Sequence, residues 1–254
     1  MKKCLIILWV LLVAVATQAQ VSMGLVAGFN MCDEITFFNG TADARSTDMP
    51  SLKGLVIGPT IEMMIKDYDI GIELSTLYSR KGSNFSYYLN NPNATPSYAV
   101  QLEGYKNIDY MEVPLYIKWR FGPRDFKMFI AGGYYWGFGL SGTVEVEKAE
   151  DLYFSNQPIP ELLKSTKMKF GEEKYEPYNL IDRGYTFGAG INIVNTLEIA
   201  IYYSYGTKSV VNDRSMKDLL PEDPYGYDAT HYDISSHNNV VSVRLTYLFS
   251  SQRY

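Results

Sequence analysis

The chain has little cysteine, little histidine and no apolar run long enough to cross a bilayer as a helix. Its longest apolar run, residues 5–16, falls short of the roughly 20 residues a spanning helix needs. Lys2 and Lys3 precede that run, and the small residues Thr17 and Ala19 bracket Gln18 after it. This is the pattern of a secretory signal peptide, residues 1–19, cut before Gln20, which leaves one mature domain over residues 20–254. Of the two cysteines, Cys4 leaves with the leader. It also lies ahead of the apolar run, where a lipid-anchor cysteine would follow it. Cys32 then stands alone, so no internal disulfide staples the exported fold, and it reads as a small half-buried residue near a strand end.

Basic charge is scarce as well. With 23 Lys and Arg against 28 Asp and Glu the formal charge is -5, and losing Lys2 and Lys3 makes the chain more acidic still. That balance argues against a nucleic-acid partner. No glycine-rich phosphate loop follows a strand, and no Cys/His set has metal-ligand spacing, so neither cofactor nor metal is expected. What the chain has in excess is tyrosine, 22 residues. Tyr and Trp favour positions apolar at one end and wet at the other, as at a membrane interface.

The clearest local signal is the stretch 108–140, two alternating runs around Gly122-Pro123. Met111, Val113, Leu115, Ile117, Trp119 and Phe121 alternate with Glu112, Pro114, Tyr116, Lys118 and Arg120, then Phe126, Met128, Ile130, Tyr134, Trp136 and Phe138 continue the apolar face. Period-two alternation of this length predicts a strand hairpin. The same pattern recurs at residues 22–31, 54–65, 70–80, 184–194, 197–206 and from about 241 to the end, giving eight strands. Short turns at 66–69, at 122–125 and at Asn195-Thr196 alternate with long polar connections at 32 to about 50, 82–104, 141–180 and 207–235. Within these, residues 143–147 read as a prolongation of the fifth strand, 161–164 as a helical turn and Ser215 as the cap of a short helix. All long connections at one end is the signature of an eight-stranded antiparallel up-and-down transmembrane β-barrel, with short periplasmic turns and long extracellular loops.

Charge decides which face is inside. Glu62, Glu73, Glu112, Lys118, Arg120, Lys127, Glu198 and Arg244 share the mixed face, and a Lys or Arg on the lipid side near the midplane would cost roughly 2–4 kcal/mol. That face therefore points inward, with acids and bases able to pair. Gly58, Gly133 and Gly188 on it leave room for larger neighbours, and an interior of eight strands is just wide enough for side chains to fill, which excludes an open diffusion pore. Trp119, Phe121, Phe126, Tyr247 and Phe249 form one aromatic girdle at the inner rim, and Tyr78, Tyr134, Trp136, Phe138, Tyr185, Phe187, Tyr203 and Tyr205 a second at the outer rim. A soluble eight-stranded barrel would want the opposite polarity. Pro59 and Pro114 remove ladder donors, for which a bulge or a place near the polar interior would compensate.

The segments GLVAGFN, YMEVPLYIKWRF, GAGINI and LEIAIYYSYG together resemble the PorT-like outer-membrane β-barrel family of Bacteroidetes. The resemblance implies an eight-stranded barrel inserted by the barrel-assembly machinery, a place in the cell outer membrane, and for its namesake a part in secretion and gliding. Ser242, Tyr247 and Phe249 suit the terminal assembly signal, while Arg244 stands where that signal prefers glycine.

The expected function is non-enzymatic: a barrel in outer-membrane lipid whose long outer loops, with Tyr225, Tyr227 and Tyr232, meet a surface or secretion-assembly partner. No catalytic, cofactor or metal residue is assigned. The alternative is a small outer-membrane hydrolase using His231 or His237 with Asp228, Asp233, Ser235 and Ser236. Asp218, Glu222, Asp223 and Asp228 match no calcium-loop spacing and read as a solvated acidic loop.

Overall fold

The computed structural model describes residues 19–40, 43–46, 51–65, 68–91, 98–123, 125–151, 157–158, 163–171, 178–212 and 232–250. Residues 1–18 of the leader, Ser215, Asp218, Glu222, Asp223, Tyr225, Tyr227, Asp228, His231 and residues 161–162 of the expected helical turn lie outside them.

Among the described residues twelve strands follow one another: β1 (Ala19–Gly40), β2 (Asp43–Ser46), β3 (Leu52–Ile65), β4 (Ile70–Ser75), β5 (Leu77–Asn91), β6 (Tyr98–Phe121), β7 (Phe126–Asp151), β8 (Gln157–Pro158), β9 (Ser165–Lys167), β10 (Ile181–Ile193), β11 (Leu197–Gly206) and β12 (Tyr232–Ser250). β4 and β5 are two halves of one spanning strand. With that pair taken together, β1, β3, β4/β5, β6, β7, β10, β11 and β12 close into a ring of eight, each antiparallel to its neighbours, with β1 pairing β12. Closure satisfies every ladder edge, which a strand structure in hydrocarbon requires.

Polarity follows the alternation. Met23, Leu25, Phe29, Ile61, Ile72, Ile117, Ile130, Ile201 and Leu245 are exposed on the outside, while Glu62, Glu73, Glu112, Lys118, Arg120, Glu198 and Arg244 are buried within. On each strand the outward apolar run ends at a polar residue near the long-loop end: Asp33, Lys53, Arg80, Asp109, Ser141, Arg183, Thr207 and Asn239. Register ties several of these together, with Asp33 opposite Asn239 and Asp109 bridging Arg80 and Ser141. Between this ring and the short turns, the apolar stretches have the roughly 9–11 residues of a tilted membrane strand. Aromatic contacts bound the band at both ends, Trp119–Phe121 and Tyr247–Phe249 at 5.5 and 5.1 Å, Tyr134–Trp136 and Tyr134–Tyr185 at 4.9 and 5.4 Å.

Three expectations are corrected. The connection expected at 82–104 is largely strand: β5 and β6 stay paired from Leu77–Glu112 up to Asn91–Tyr98, and β7 likewise continues to Asp151. β1 and β12 also run on together to Gly40 and Tyr232, so Cys32 is fully buried within a strand rather than half-buried at its end. Second, neither proline makes a bulge. Registers are unshifted around both, and the prolines close from β3 and β6 on the same gap, the break at Thr76 between β4 and β5. Thr76 N–H still donates to the Pro59 carbonyl at 3.0 Å, and Pro114 is on the buried face. The irregularities fall instead at Glu103/Gly104 and Asp109/Tyr110. Third, the turn after β10 centres on Val194-Asn195, both at positive φ (53° and 54°), with Thr196 N–H donating to the Ile193 carbonyl at 3.1 Å.

Of the three glycines expected to leave room, Gly188 does so directly: a Cβ there would lie 2.3 Å from the Tyr202 ring. At Gly58 and Gly133 the close approach is to backbone of the adjacent strand. Overpacking costs about 1–3 kcal/mol. Gly188→Val is therefore expected to lower the urea midpoint of the folded barrel in detergent, whereas Gly132→Ala, whose Cβ would meet nothing nearer than 3.6 Å, leaves it unchanged.

Candidate functional site

The titratable groups of the interior sort into two clusters. Nearer the short turns, Lys118 on β6 sends its ammonium to Glu62 and Glu198, both at 2.9 Å, and to Glu73. Arg120, two residues on and on the same face, donates to Glu62 and Glu198 at 2.8 and 2.6 Å. Asn192 adds a bond to Glu198 at 3.0 Å. The three carboxylates lie within 4.8 Å of one another, close enough to hold a metal ion. Lys118 already fills that role: its ammonium bonds all three, so the set reads as a cage for a built-in cation.

Nearer the outer end, Lys81 bridges Glu112 and Asp182 at 2.6 and 3.1 Å and sits over the Tyr135 ring at 4.1 Å. Asp182 also accepts from Tyr135 at 3.1 Å and Asn238 at 3.0 Å. Arg244 reaches Glu112 at 3.8 Å, donates to Tyr116 at 2.9 Å and lies over the Tyr202 ring at 4.7 Å. Higher still, Lys106 pairs with Glu34 at 2.5 Å. Buried charges stay affordable only when paired and hydrogen-bonded in this way.

Beyond the clusters, the segment 163–171 runs along β7, and Tyr178 pairs with Val211 in the stretch that follows β11. Met168, Tyr178 and Val210 join Ile108 and Tyr110 in one apolar cluster. Asn179 pins it by donating to the carbonyls of Ser209 and Val211 at 2.9 and 3.1 Å.

Seven of the eight charges expected inside are there and paired. Lys127 is the exception in kind: it meets Asp69 at 2.5 Å at the inner rim and takes no part in the clusters. Sequence reasoning missed Lys81, Asp182, Glu34 and Lys106, which it left in loops or at their edges. Of the hydrolase set, Asp228 and His231 lie outside the described residues, and Ser235 and His237 share one face of β12. Ser236 is buried on the inner face, bonded to Thr36 at 2.8 Å, and the next residue, His237, points to the other face of the strand.

A closed eight-stranded ring with an apolar band outside, aromatic girdles at both ends and paired charges inside defines an outer-membrane β-barrel. The chain belongs to the outer membrane protein beta-barrel domain family, which matches residues 17–212, and it is an outer-membrane protein. No curated protein matches it significantly in sequence. Among solved structures it is similar to Neisserial surface protein A (12% identity, 90% of this chain and 97% of that one, TM-score 0.34). It is also similar to Ail of Yersinia pestis, solved with the heparin analogue sucrose octasulfate (11%, 90% and 99%, TM-score 0.33). A third is the N-terminal β-barrel domain of Pseudomonas aeruginosa OprF (10%, 91% and 100%, TM-score 0.31).

At the outer rim, just beyond the apolar band, Arg80 donates to both oxygens of Asp109 at 2.7 and 3.3 Å, and Ser141 adds a bond at 3.0 Å. Partial burial pushes the Asp109 carboxyl up, but these donors and Tyr78 more than reverse that and hold it below its ordinary value. Such a group stabilises the fold fully above its unfolded pKa, about 3.9, and loses that contribution as pH falls through the lowered folded value. The stability gap between wild type and Asp109→Asn, from urea titrations, should therefore be flat above about pH 5 and shrink below about pH 4. Removing Lys118 acts on a larger scale, because it strands buried carboxylates. Lys118→Met is expected to cost about 3–5 kcal/mol in the same titration. Arg80→Gln, at an exposed pair, should cost under about 1 kcal/mol.

Proposed function

We propose that this protein is a non-enzymatic outer-membrane barrel with a filled lumen, which holds extended outer strands and loops for binding or assembly at the cell surface. The observation that carries the reading is the continuation of β5, β6 and β7 as a paired sheet past the ring of Arg80, Asp109 and Ser141. From Asp109 to the start of β6 at Tyr98 the strand rises on the order of 35 Å at its ordinary spacing. Such a projection contributes nothing to spanning the membrane.

The filled lumen is supported by what lies inside it. Tyr110, Tyr116, Tyr135, Lys81, Lys118 and Phe129 are all fully buried within a ring of eight strands, a size that side chains can fill. Export by residues 1–19 and insertion by the barrel-assembly machinery complete the proposal. The finer kinship, to PorT-like barrels of Bacteroidetes with a link to secretion, rests on the motifs GLVAGFN and YMEVPLYIKWRF.

Two measurements test this. Purified barrel in planar bilayers should give no stable ion channel, and steady unitary conductance would refute the filled lumen. Replacing residues 84–105 by a short turn, which keeps the Ser83 and Lys106 contacts to Glu34, should leave heat-modifiable gel migration intact while abolishing co-purification of a surface partner from native outer membranes. An unchanged set of co-purifying proteins would count against the projection as the binding element.

A further inference from the structure

The lipid-facing surface is not uniform around the barrel. On β7, β10 and β11 it becomes a wall of aromatic rings at the outer girdle. Tyr134 contacts Trp136 and Tyr185 edge-on, and Phe187 and Tyr203 continue the wall at 58% and 43% exposure. Beside Trp136, its partner in the ladder, and two residues beyond Tyr185 on the same face stands Arg183, exposed. Its backbone is fixed: its carbonyl accepts from Thr207 N–H at 2.8 Å, from Lys208 N–H at 3.4 Å and from the Thr207 hydroxyl at 3.0 Å.

Arg183 differs from the other arginine of the outer rim. Arg80 is neutralised by Asp109 at 2.7 Å, while Arg183 has no ion-pair partner among the described residues. Its nearest acid in sequence, Asp182, points inward and is committed to Lys81. The segment 163–171, paired along β7, adds Lys167 and Lys169, both exposed and flanking the buried Met168. The result is a cation without an ion-pair partner among the described residues, beside the aromatic rings of β7 and β10 that mark the boundary between acyl chains and headgroups.

We propose that Arg183, with Trp136 beside it and Tyr134 and Tyr185 below, forms a docking site for the phosphate of an outer-leaflet lipid. The aromatic rings lie at the level where chains give way to headgroups. Arg183 is about 7 Å further along the strand than Tyr185, at the depth of a lipid phosphate. A guanidinium there meets a phosphate through two parallel hydrogen bonds, which an ammonium cannot copy. The low local dielectric strengthens the pair. A phosphorylated lipid supplies both halves of the recognition, chains for the wall and charge for the arginine.

The test uses the full barrel in mixed micelles of neutral detergent with diphosphorylated lipid A, or with the same lipid stripped of its phosphates, and counts retained lipid by native mass spectrometry. Wild type should retain the phosphorylated form, and Arg183→Gln should retain about tenfold less, the loss of one charge-assisted bond pair. Arg183→Lys should fall between them, and Arg80→Gln should match wild type. Heat-modifiable migration establishes that each variant is folded. Equal retention by wild type and Arg183→Gln would overturn the site. So would equal retention of the stripped lipid, or an equal loss in Arg80→Gln. Displacement of the lipid by millimolar inorganic phosphate would show a simple anion site and overturn the lipid as its occupant.

Discussion

Lys118 extends its ammonium from β6 into a space bounded by carboxylates from β3, β4 and β11, and much of the barrel is arranged around that contact. The constraint behind it is hydrocarbon outside the wall and the burial of these side chains inside it at that depth. Hydrocarbon outside forbids a polar group to point outward, so whatever polar side chains the strands carry must turn in. Inside, a lone charge would cost several kcal/mol, and only mutual pairing reduces that. Arg120 and Asn192 finish the pairing, so that groups far apart in sequence bind across the ring. The same contact therefore neutralises the interior and ties opposite walls together.

This constraint explains which parts of the fold were legible in the sequence. Within the membrane one face must be apolar and the other not, so period two stands out, and Glu112, Lys118, Arg120, Glu198 and Arg244 could be placed inside from alternation and charge alone. Past the ring of Asp33, Arg80 and Arg183 both faces of a strand meet polar surroundings. Contrast between successive residues disappears there while the hydrogen-bond ladder continues, as it does between β5 and β6 up to Asn91 and Tyr98. Lys81, Asp182, Glu34 and Lys106 fall in or beyond that transition, which is why they read as loop although they are paired and largely buried. The pairing of Lys81 with Asp182 joins residues a hundred apart, and no local pattern encodes it.

The prolines teach a related lesson. Read one at a time, Pro59 and Pro114 each lack a donor and each invite a local repair. In the folded barrel they lie on the two neighbours of one strand and converge on Thr76, so a single interruption absorbs both defects. The true irregularity at Asp109/Tyr110 serves a different end: skipping Leu140 in the ladder brings Ser141 opposite Asp109, where its hydroxyl completes the rim cluster. Strand pairing is non-local, and both features exist only once the ring is closed.

The same geometry bears on how an outer partner would be met under the proposed function. A sheet rising out of a membrane offers two means of recognition, its open edge or its faces. Among the described residues the edges are largely taken. β2 pairs the far end of β5, and β8 and β9 pair β7. Val146 N–H donates to the Lys164 carbonyl and Met168 N–H to the Gly142 carbonyl, which extends the cover of β9 by one residue at each end. Covered edges blunt strand addition and the self-association that accompanies it. A partner would then be recognised by side chains on the faces and at the tips. Those are the positions where polar residues such as Tyr105, bonded to Glu145 at 2.5 Å, can change without disturbing the ladder beneath them.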